Sequence, residues 1–178
     1  MEEAELIKRS RDGDVQAFNV LVNQHQKEVL NFAFRMLGNL PDAEDICQNS
    51  WIAAWKSIRH FRGDSFLTWV LTIVAHDCHD EFRQRKVRIA VSVDDPPMVV
   101  ADPKANHTLD MEITEAVQQS MLELPHEQRL AVTLREFNNL SYDEIAGVMK
   151  CSVGTVRSRL NRGRINLRNH LRDKGFLG

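Results

Sequence analysis

Basic and polar side chains recur between residues 150 and 172 in a pattern suited to binding a nucleic acid. This stretch contains seven Lys or Arg and no Asp or Glu. On a helix, one side would carry Gly154, Ser158, Asn161 and Arg162, flanked by Arg157, Arg164 and Arg168. Guanidinium, hydroxyl and amide groups bind DNA phosphates and base edges. We therefore favour DNA binding over the alternative, an ordinary solvated basic helix.

Two short helices joined by a tight turn would position this basic side. Ser141 and Glu144 form a Ser-x-x-Glu capping box for the first helix, and Ser152 can cap the second. The apolar residues of the second helix are spaced by three or four positions, with Gly163 on the same side. Glycine there costs about 1 kcal/mol of helix propensity unless close packing needs it. The arrangement predicts a helix-turn-helix.

A second polar strip lies on the helix that we predict from Asp64 or Ser65 to about residue 86. Its side without apolar residues carries Thr68, Thr72, His76, His79 and Arg83. The strip becomes more basic towards its end, because Arg85, Lys86 and Arg88 follow it. This character suits contact with a nucleic-acid backbone.

The same helix offers an alternative, a metal site made by His76, Cys78, His79 and Asp80. Cys78 would project from the buried side, about 160° around the helix from His76. We therefore favour a strip without metal, and we assign no metal ligand, cofactor or catalytic residue.

A third surface is expected on a helix over about 42–58. Its side away from the apolar residues shows Asp45, Gln48, Asn49, Ile52 and Lys56. Acids in the first turn suit the positive end of the helix dipole, but that does not explain Ile52 among polar neighbours. Ile52 indicates either a protein interface or a single exposed apolar side chain.

Charge and proline divide the chain into three segments. Residues 1–90 have a net charge of −1, residues 91–112 of −4 and residues 113–178 of +3. The middle segment has three prolines and no helical period, so we predict a flexible linker between two small domains. Nearly all other periodic segments have helical spacing, which predicts an all-α protein.

Cysteine content and hydropathy exclude several classes of protein. The three cysteines form no CxxC pair, which argues against a disulfide framework or a zinc knuckle. We find no apolar run of about 18 residues that could span a membrane. We expect a cytoplasmic protein with no direct membrane insertion.

Several local signals predict where helices begin and end. Asp14 can cap a long, mostly buried helix that Gly38 ends, with His25 as a core histidine. Pro125 starts a helix whose residues Leu130, Leu134 and Phe137 are expected to point inward.

The order of these parts resembles that of an extracytoplasmic-function (ECF) sigma factor, a small two-domain bacterial sigma subunit. The first domain is similar to sigma region 2 through DVQAFNVLV, RMLGNLPDAEDICQ and FRGDSFLTW. The second is similar to sigma region 4 through LPHEQRLAVTLREFNNLSYDEIAGVMKCSVGTVRSRLNRGR. The resemblance covers nearly the whole chain.

The resemblance implies partners for all three surfaces. The helix with Asp45 and Gln48 would dock on the clamp helices of the largest RNA polymerase subunit, and the polymerase flap would be a further contact. The −10 promoter element would be captured by the loop with Phe61, Arg62, Asp64 and Ser65 and by the helix with Thr72, His76, His79 and Arg83. The helix from Ser152 would read the −35 element, with Arg157, Ser158, Asn161 and Arg162 at base edges. Thr155 and the flanking arginines would hold phosphates, and Gly154 would lie on the same DNA-binding side.

The resemblance further implies an anti-sigma factor as regulator and no catalytic activity of the chain itself. Three positions depart from the family pattern. Only six positions separate Gly63 from Trp69, Ala75-His76 replaces a usual Arg-Asn pair, and Gly163 stands where Ala is common. These departures bear on promoter preference.

Two alternative functions remain open on the sequence alone. A free-standing helix-turn-helix repressor or activator would bind specific DNA without polymerase. A helical metalloenzyme would use His76, His79 and nearby acids, and it would lose activity on chelation.

Overall fold

The computed structural model describes residues 2–63, 65–91 and 109–177, and all regular elements in these ranges are helical. The all-α prediction is thus confirmed. The helices are α1 (Glu3–Arg11), α2 (Val15–Leu37), α3 (Leu40–Ser57), α4 (Phe66–Val91), α5 (Leu109–Leu122), α6 (His126–Val132), α7 (Tyr142–Met149) and α8 (Val153–Asp173). A 3₁₀ turn, Ile58–His60, follows α3, and a π turn, Thr133–Phe137, continues α6. Asp64 and most of the predicted linker lie outside the described residues.

The helix ends follow the signals in the sequence. The Asp14 carboxylate accepts hydrogen bonds from the backbone of Gln16 and Ala17 at the start of α2. Gly38 ends this helix with a φ of 73°, a left-handed conformation that glycine adopts without strain. Asn139 adopts the same conformation after the π turn, with a φ of 56°. These local predictions are confirmed.

The first region, α1 to α4, is built around an aromatic cluster. Its members are Phe18, Trp51, Trp55, Phe61, Phe66 and Trp69. Trp51 and Phe66 are stacked, the other pairs meet edge-on or tilted, and the ring centroids of Phe61 and Trp69 are 5.1 Å apart. Such a cluster buries much apolar surface in four short elements, and it fixes α4 against α2 and α3.

In the second region, α5 to α8, the helix α8 packs closely on α6. Gly163 is buried, and a Cβ atom at this position would lie 2.7 Å from Cγ2 of Val132. The close approach explains the glycine that costs helix propensity. The orientation of α8 is therefore set by a contact that has no room for a side chain.

The two regions share one hydrophobic core, although the sequence predicted separate domains. Arg129 of α6 donates a hydrogen bond to the carbonyl of Met36, and Gln118 of α5 donates one to the carbonyl of Phe34 at 3.1 Å. Both carbonyls belong to the last turn of α2, where helix acceptors lack the usual i+4 donors; the carbonyl of Phe34 also accepts from the backbone N–H of Gly38 at 2.8 Å. The second region thus caps a helix of the first. The segment bounds 1–90, 91–112 and 113–178 stay a prediction.

Phe137 departs from expectation. We expected an inward side chain, but Phe137 is 37% exposed. The guanidinium of Arg35 lies 3.6 Å from the centroid of its ring, so a cation–π contact covers the ring from the first region. The helical spacing around Phe137 could not predict this contact, because Arg35 belongs to a distant part of the chain.

Candidate nucleic-acid and protein interfaces

The α8 face is open to solvent. Gly154, Arg157, Ser158, Asn161 and Arg162 are exposed, and Thr155 is half-buried. On the opposite side, Val156, Leu160 and Gly163 are buried against the second region. Ser152 caps the helix by accepting a hydrogen bond from the backbone of Thr155 at 3.1 Å. The structure therefore brings all predicted residues of the α8 face to one exposed side.

Charge pairing divides the arginines of α8 into two groups. Arg159 pairs with Glu127 at 2.8 Å, and Arg164 pairs with Glu136 at 2.5 Å. The hydrogen bond to Glu136 raises the pKa of Arg164. Within the described part of the chain, neither Arg157 nor Arg162 forms an ion pair with an acid. Arg168 and Arg172 form none there either, and Arg157 and Arg162 are the two unpaired guanidinium groups on the side that is predicted to meet base edges.

The loop before α4 is built differently from what the sequence predicts. Phe61 is only 4% exposed and belongs to the aromatic cluster. Its ring therefore packs in the core and is not accessible to a ligand in this arrangement. Arg62 is exposed but donates to the backbone carbonyls of Arg59 and Phe61. Ser65 accepts from the backbone of Thr68 at 3.1 Å and caps α4. Asp64 lies outside the described residues.

The strip on α4 is only partly accessible. His76 and Arg83 are exposed, whereas Thr72 is half-buried and donates to the carbonyl of Thr68 at 2.9 Å. His79 lies beside His126 of α6, with ring centroids 4.9 Å apart. The hydroxyl of Thr68 is 3.2 Å from Oε1 of Glu144 in α7. The second region therefore covers part of the predicted −10 surface.

The α3 face is fully presented to solvent. Asp45, Gln48, Asn49 and Lys56 are exposed, and Ile52 is 53% exposed among them. Behind this face, Ser50 donates to Asp77 of α4 at 2.5 Å. Arg85 of α4 also pairs with Asp42 at the start of α3. These two polar contacts hold α3 against α4, so the exposed face is rigidly placed.

The metal site weighed on the sequence does not form from those residues. Cys78 is fully buried on the core side of α4, while His76 is exposed on the other side. Burial raises the pKa of Cys78, and it raises the pKa of Cys47 to about 11, so both thiols stay protonated. The structure instead brings His79 together with His126 and Glu127. Sequence patterns could not find this group, because its members come from helices far apart in the chain.

Two comparisons of sequence show what the chain is similar to. Residues 21–88 match the family model Sigma-70 region 2, and residues 114–167 match Sigma-70, region 4. The RNA polymerase sigma-H factor of Pseudomonas aeruginosa is 35% identical over 175 residues, which cover 92% of this chain and 90% of that protein. The ECF RNA polymerase sigma-E factor of Escherichia coli strain K12 is 34% identical over 171 residues, 89% of this chain and 88% of that protein.

A comparison of structures supports the fold. The sigma factor RpoE from Bartonella quintana, solved in complex with the anti-sigma factor NepR, is similar with a TM-score of 0.76. The match has 24% sequence identity and covers 89% of this chain and 98% of that one.

No helix of the described residues is long and apolar enough to cross a membrane.

Proposed function

The chain belongs to the ECF group of the sigma-70 family, and it is a sigma factor for promoter-directed transcription initiation; we propose that the three surfaces described above divide this work. The observation that carries the proposal is the α8 face, where Arg157 and Arg162 are exposed and free of acidic partners among the described residues. A guanidinium held this way can bond two acceptors on a guanine edge.

The α8 face reads the −35 element. Ser152 and Thr155 stand at the positive end of the α8 dipole, which favours a phosphate there. Further along the helix, Arg157, Ser158, Asn161 and Arg162 project from the same side to meet base edges. Because these groups lie on one side of a single helix, they can all face one major groove.

The α3 face docks on core RNA polymerase. Ile52 provides an apolar centre, and the polar groups of Asp45, Gln48 and Lys56 surround it, as in many protein interfaces. The clamp helices of the largest subunit are the proposed partner of this face, and the flap is the proposed partner of the second region.

The α4 strip and the loop before it bind the −10 element. His76 and Arg83 are accessible for this, but Thr68 and His79 contact the second region. Binding of unpaired bases along the whole strip therefore requires the second region to move away from α4. Stacking and polar contacts to such bases then offset an unstacking cost of a few kcal/mol.

An anti-sigma factor is the proposed regulator, since the similar Bartonella quintana sigma factor is found in complex with one. We place the protein in the cytoplasm with RNA polymerase, and we assign it no catalytic chemistry of its own. Its work is binding and positioning.

Reconstituted transcription tests this function. Purified chain is added to core RNA polymerase with a library of genomic fragments, and start sites are mapped. We expect transcripts from a defined set of start sites that share two elements, and none without the chain. A chain that shifts specific DNA alone and gives no such transcripts with polymerase would instead be a free-standing repressor or activator.

The docking face has its own test in the variant Ile52→Glu. A buried charge at the centre of the interface should abolish binding to core polymerase. Val15→Glu is the matched control, because Val15 of α2 is 52% exposed, much like Ile52, and is not part of the α3 face. Equal polymerase binding by both variants would exclude the α3 face as the docking site.

A further inference from the structure

A small cleft lies between the two regions, at the α4 strip. It has a volume of about 180 Å³, and its lining includes His79 of α4 and His126 and Glu127 of α6. One ligand-type atom from each of these three side chains lies within 4.8 Å of the others. Two imidazoles and a carboxylate from different helices thus meet at one point of the interface.

His126 stands out among these groups because it is buried without a partner. It is 8% exposed, and neither ring nitrogen has a hydrogen-bond partner among the described residues. The nearest acidic oxygen, Oε1 of Glu127, is 3.6 Å from Nδ1. A buried polar atom without a hydrogen bond is unfavourable, so a ligand that meets this ring is favoured.

We propose that His79, His126 and Glu127 bind one divalent transition-metal ion of the Zn²⁺ type between the two regions. Two imidazoles and one carboxylate are a ligand set that zinc accepts, with water in the fourth position. Ligand atoms around zinc lie roughly 3.3 Å apart, since each bond is about 2.0–2.1 Å long. Small rotations of the half-buried His79 and Glu127 side chains close the present spacing.

Neighbouring charged side chains have two opposite effects on metal affinity at this site. Arg159 pairs with Oε2 of Glu127 at 2.8 Å, which leaves Oε1 turned towards His126. Such outer partners orient a metal-binding carboxylate. Lys150 also lines the cleft, and its charge opposes a cation. We therefore expect a moderate affinity that depends on all three ligands.

Metal binding would fasten α4 to α6. The ion would hold the second region over the strip and keep His79 from DNA. This consequence rests on the proposed function, whereas the metal site itself does not.

A Co²⁺ titration of the full-length, metal-free chain tests the site. Co²⁺ replaces Zn²⁺ in such sites and absorbs visible light when its coordination is tetrahedral. We expect saturation at one ion per chain, and weakening by at least about tenfold in His79→Gln and in Glu127→Gln. The control His60→Gln changes an exposed histidine of the 3₁₀ turn and should bind as the wild type does.

Two further measurements keep the result unambiguous. A near-ultraviolet thiolate band that disappears in Cys151→Ser would place the ion on that partly exposed cysteine and overturn the proposal. Zn²⁺ should raise the midpoint of thermal unfolding in the wild type and in His60→Gln but not in His79→Gln. Absence of saturable binding, or equal binding by His79→Gln, also overturns it. Polymerase and DNA are absent from these assays, so their failure leaves the transcription function intact.

Discussion

The two predicted DNA-binding surfaces are presented in different ways. The α8 face is exposed along its length, and its two free arginines point to solvent. The α4 strip is partly covered, because Thr68 contacts Glu144 and His79 contacts His126. One surface is ready to bind in this arrangement, and the other becomes complete only after the regions separate. The difference indicates that contacts between the regions control access to the −10 surface more than to the −35 surface.

The largest expected effect comes from removing the free charges of the open surface. In the double variant Arg157→Ala, Arg162→Ala, each lost base contact costs about 1–3 kcal/mol, so promoter-specific transcripts should fall by about 100-fold or more. Quantified run-off transcription measures this loss. Arg172→Ala is the control, since Arg172 is exposed near the end of α8 and bonds Asn169. A similar loss in both variants would indicate a general charge effect and not base recognition.

The covered surface is tested next, by removing a buried hydrogen-bond donor that joins the two regions. Arg129 is 6% exposed and donates to the carbonyls of Met36, Leu122 and Leu124. Arg129→Met leaves these acceptors without a donor, which should lower the free energy of unfolding by about 3 kcal/mol. Urea denaturation measures stability, and X-ray scattering should show a larger radius of gyration.

Arg135→Met is the matched control for this variant. Arg135 also donates to a backbone carbonyl, that of Leu140, but both residues belong to the second region. It should lower stability by no more than about 1.5 kcal/mol and leave the radius unchanged. If both variants expand equally, Arg129 does not hold the regions together.

A smaller loss of stability is expected from a substitution at the contact between α8 and α6. In Gly163→Ala, the new methyl group collides with Val132, so we expect a loss of about 1–3 kcal/mol despite the better helix propensity of alanine. The double variant Gly163→Ala, Val132→Ala should recover part of the lost stability, because the smaller side chain makes room for the methyl group. Denaturation midpoints measure the stability of both variants. A Gly163→Ala variant more stable than the wild type would show that α6 and α8 move apart at no cost.

The smallest effect that we predict is a dependence of folding stability on pH. The folded-state pKa of His126 lies below its usual 6.5 because of burial and of His79. The unfolded chain therefore binds this proton first as the pH falls, and protonation favours unfolding. Glu127 raises the same pKa and moderates the effect, whereas Arg129 adds to it.

We accordingly expect the wild type to lose stability between about pH 7.5 and about pH 5.5. His126→Leu should lose less over the same range, and His60→Leu should follow the wild type. Urea titrations at both pH values measure this. A parallel decline in all three proteins would assign the pH dependence to other groups.

Local features of the molecule were predictable from the sequence. The Ser141–Glu144 capping box, the Asp14 cap and the left-handed Gly38 all depend on neighbours within a few residues. The α8 face and the α3 face followed from helical spacing, because one side of each helix is apolar and buried. Their roles in binding stay predictions.

Contacts between distant residues were not predictable in this way. Arginine is usually found at the surface, yet Arg129 is buried, because the carbonyl of Met36 at the end of α2 and the carbonyls of Leu122 and Leu124 accept from it. The family resemblance led us to expect Phe61 at the DNA surface, but its ring packs against those of Phe66 and Trp69 in the core. His126 and His79 are separated by more than 40 residues, and no periodic pattern links them. Packing across the regions decides all three cases.

The capping box of α7 has a consequence for how the second region detaches from α4. Oε2 of Glu144 accepts from the backbone of Ser141 at 2.8 Å, and only Oε1 faces Thr68. Detachment breaks the contact with Thr68 and leaves the cap in place. The second region, in which α7 and α8 stay packed on α6, can then move away from α4 with its fold already assembled. It reaches a promoter without a disorder-to-order transition, so little of its binding energy is consumed in restructuring the protein.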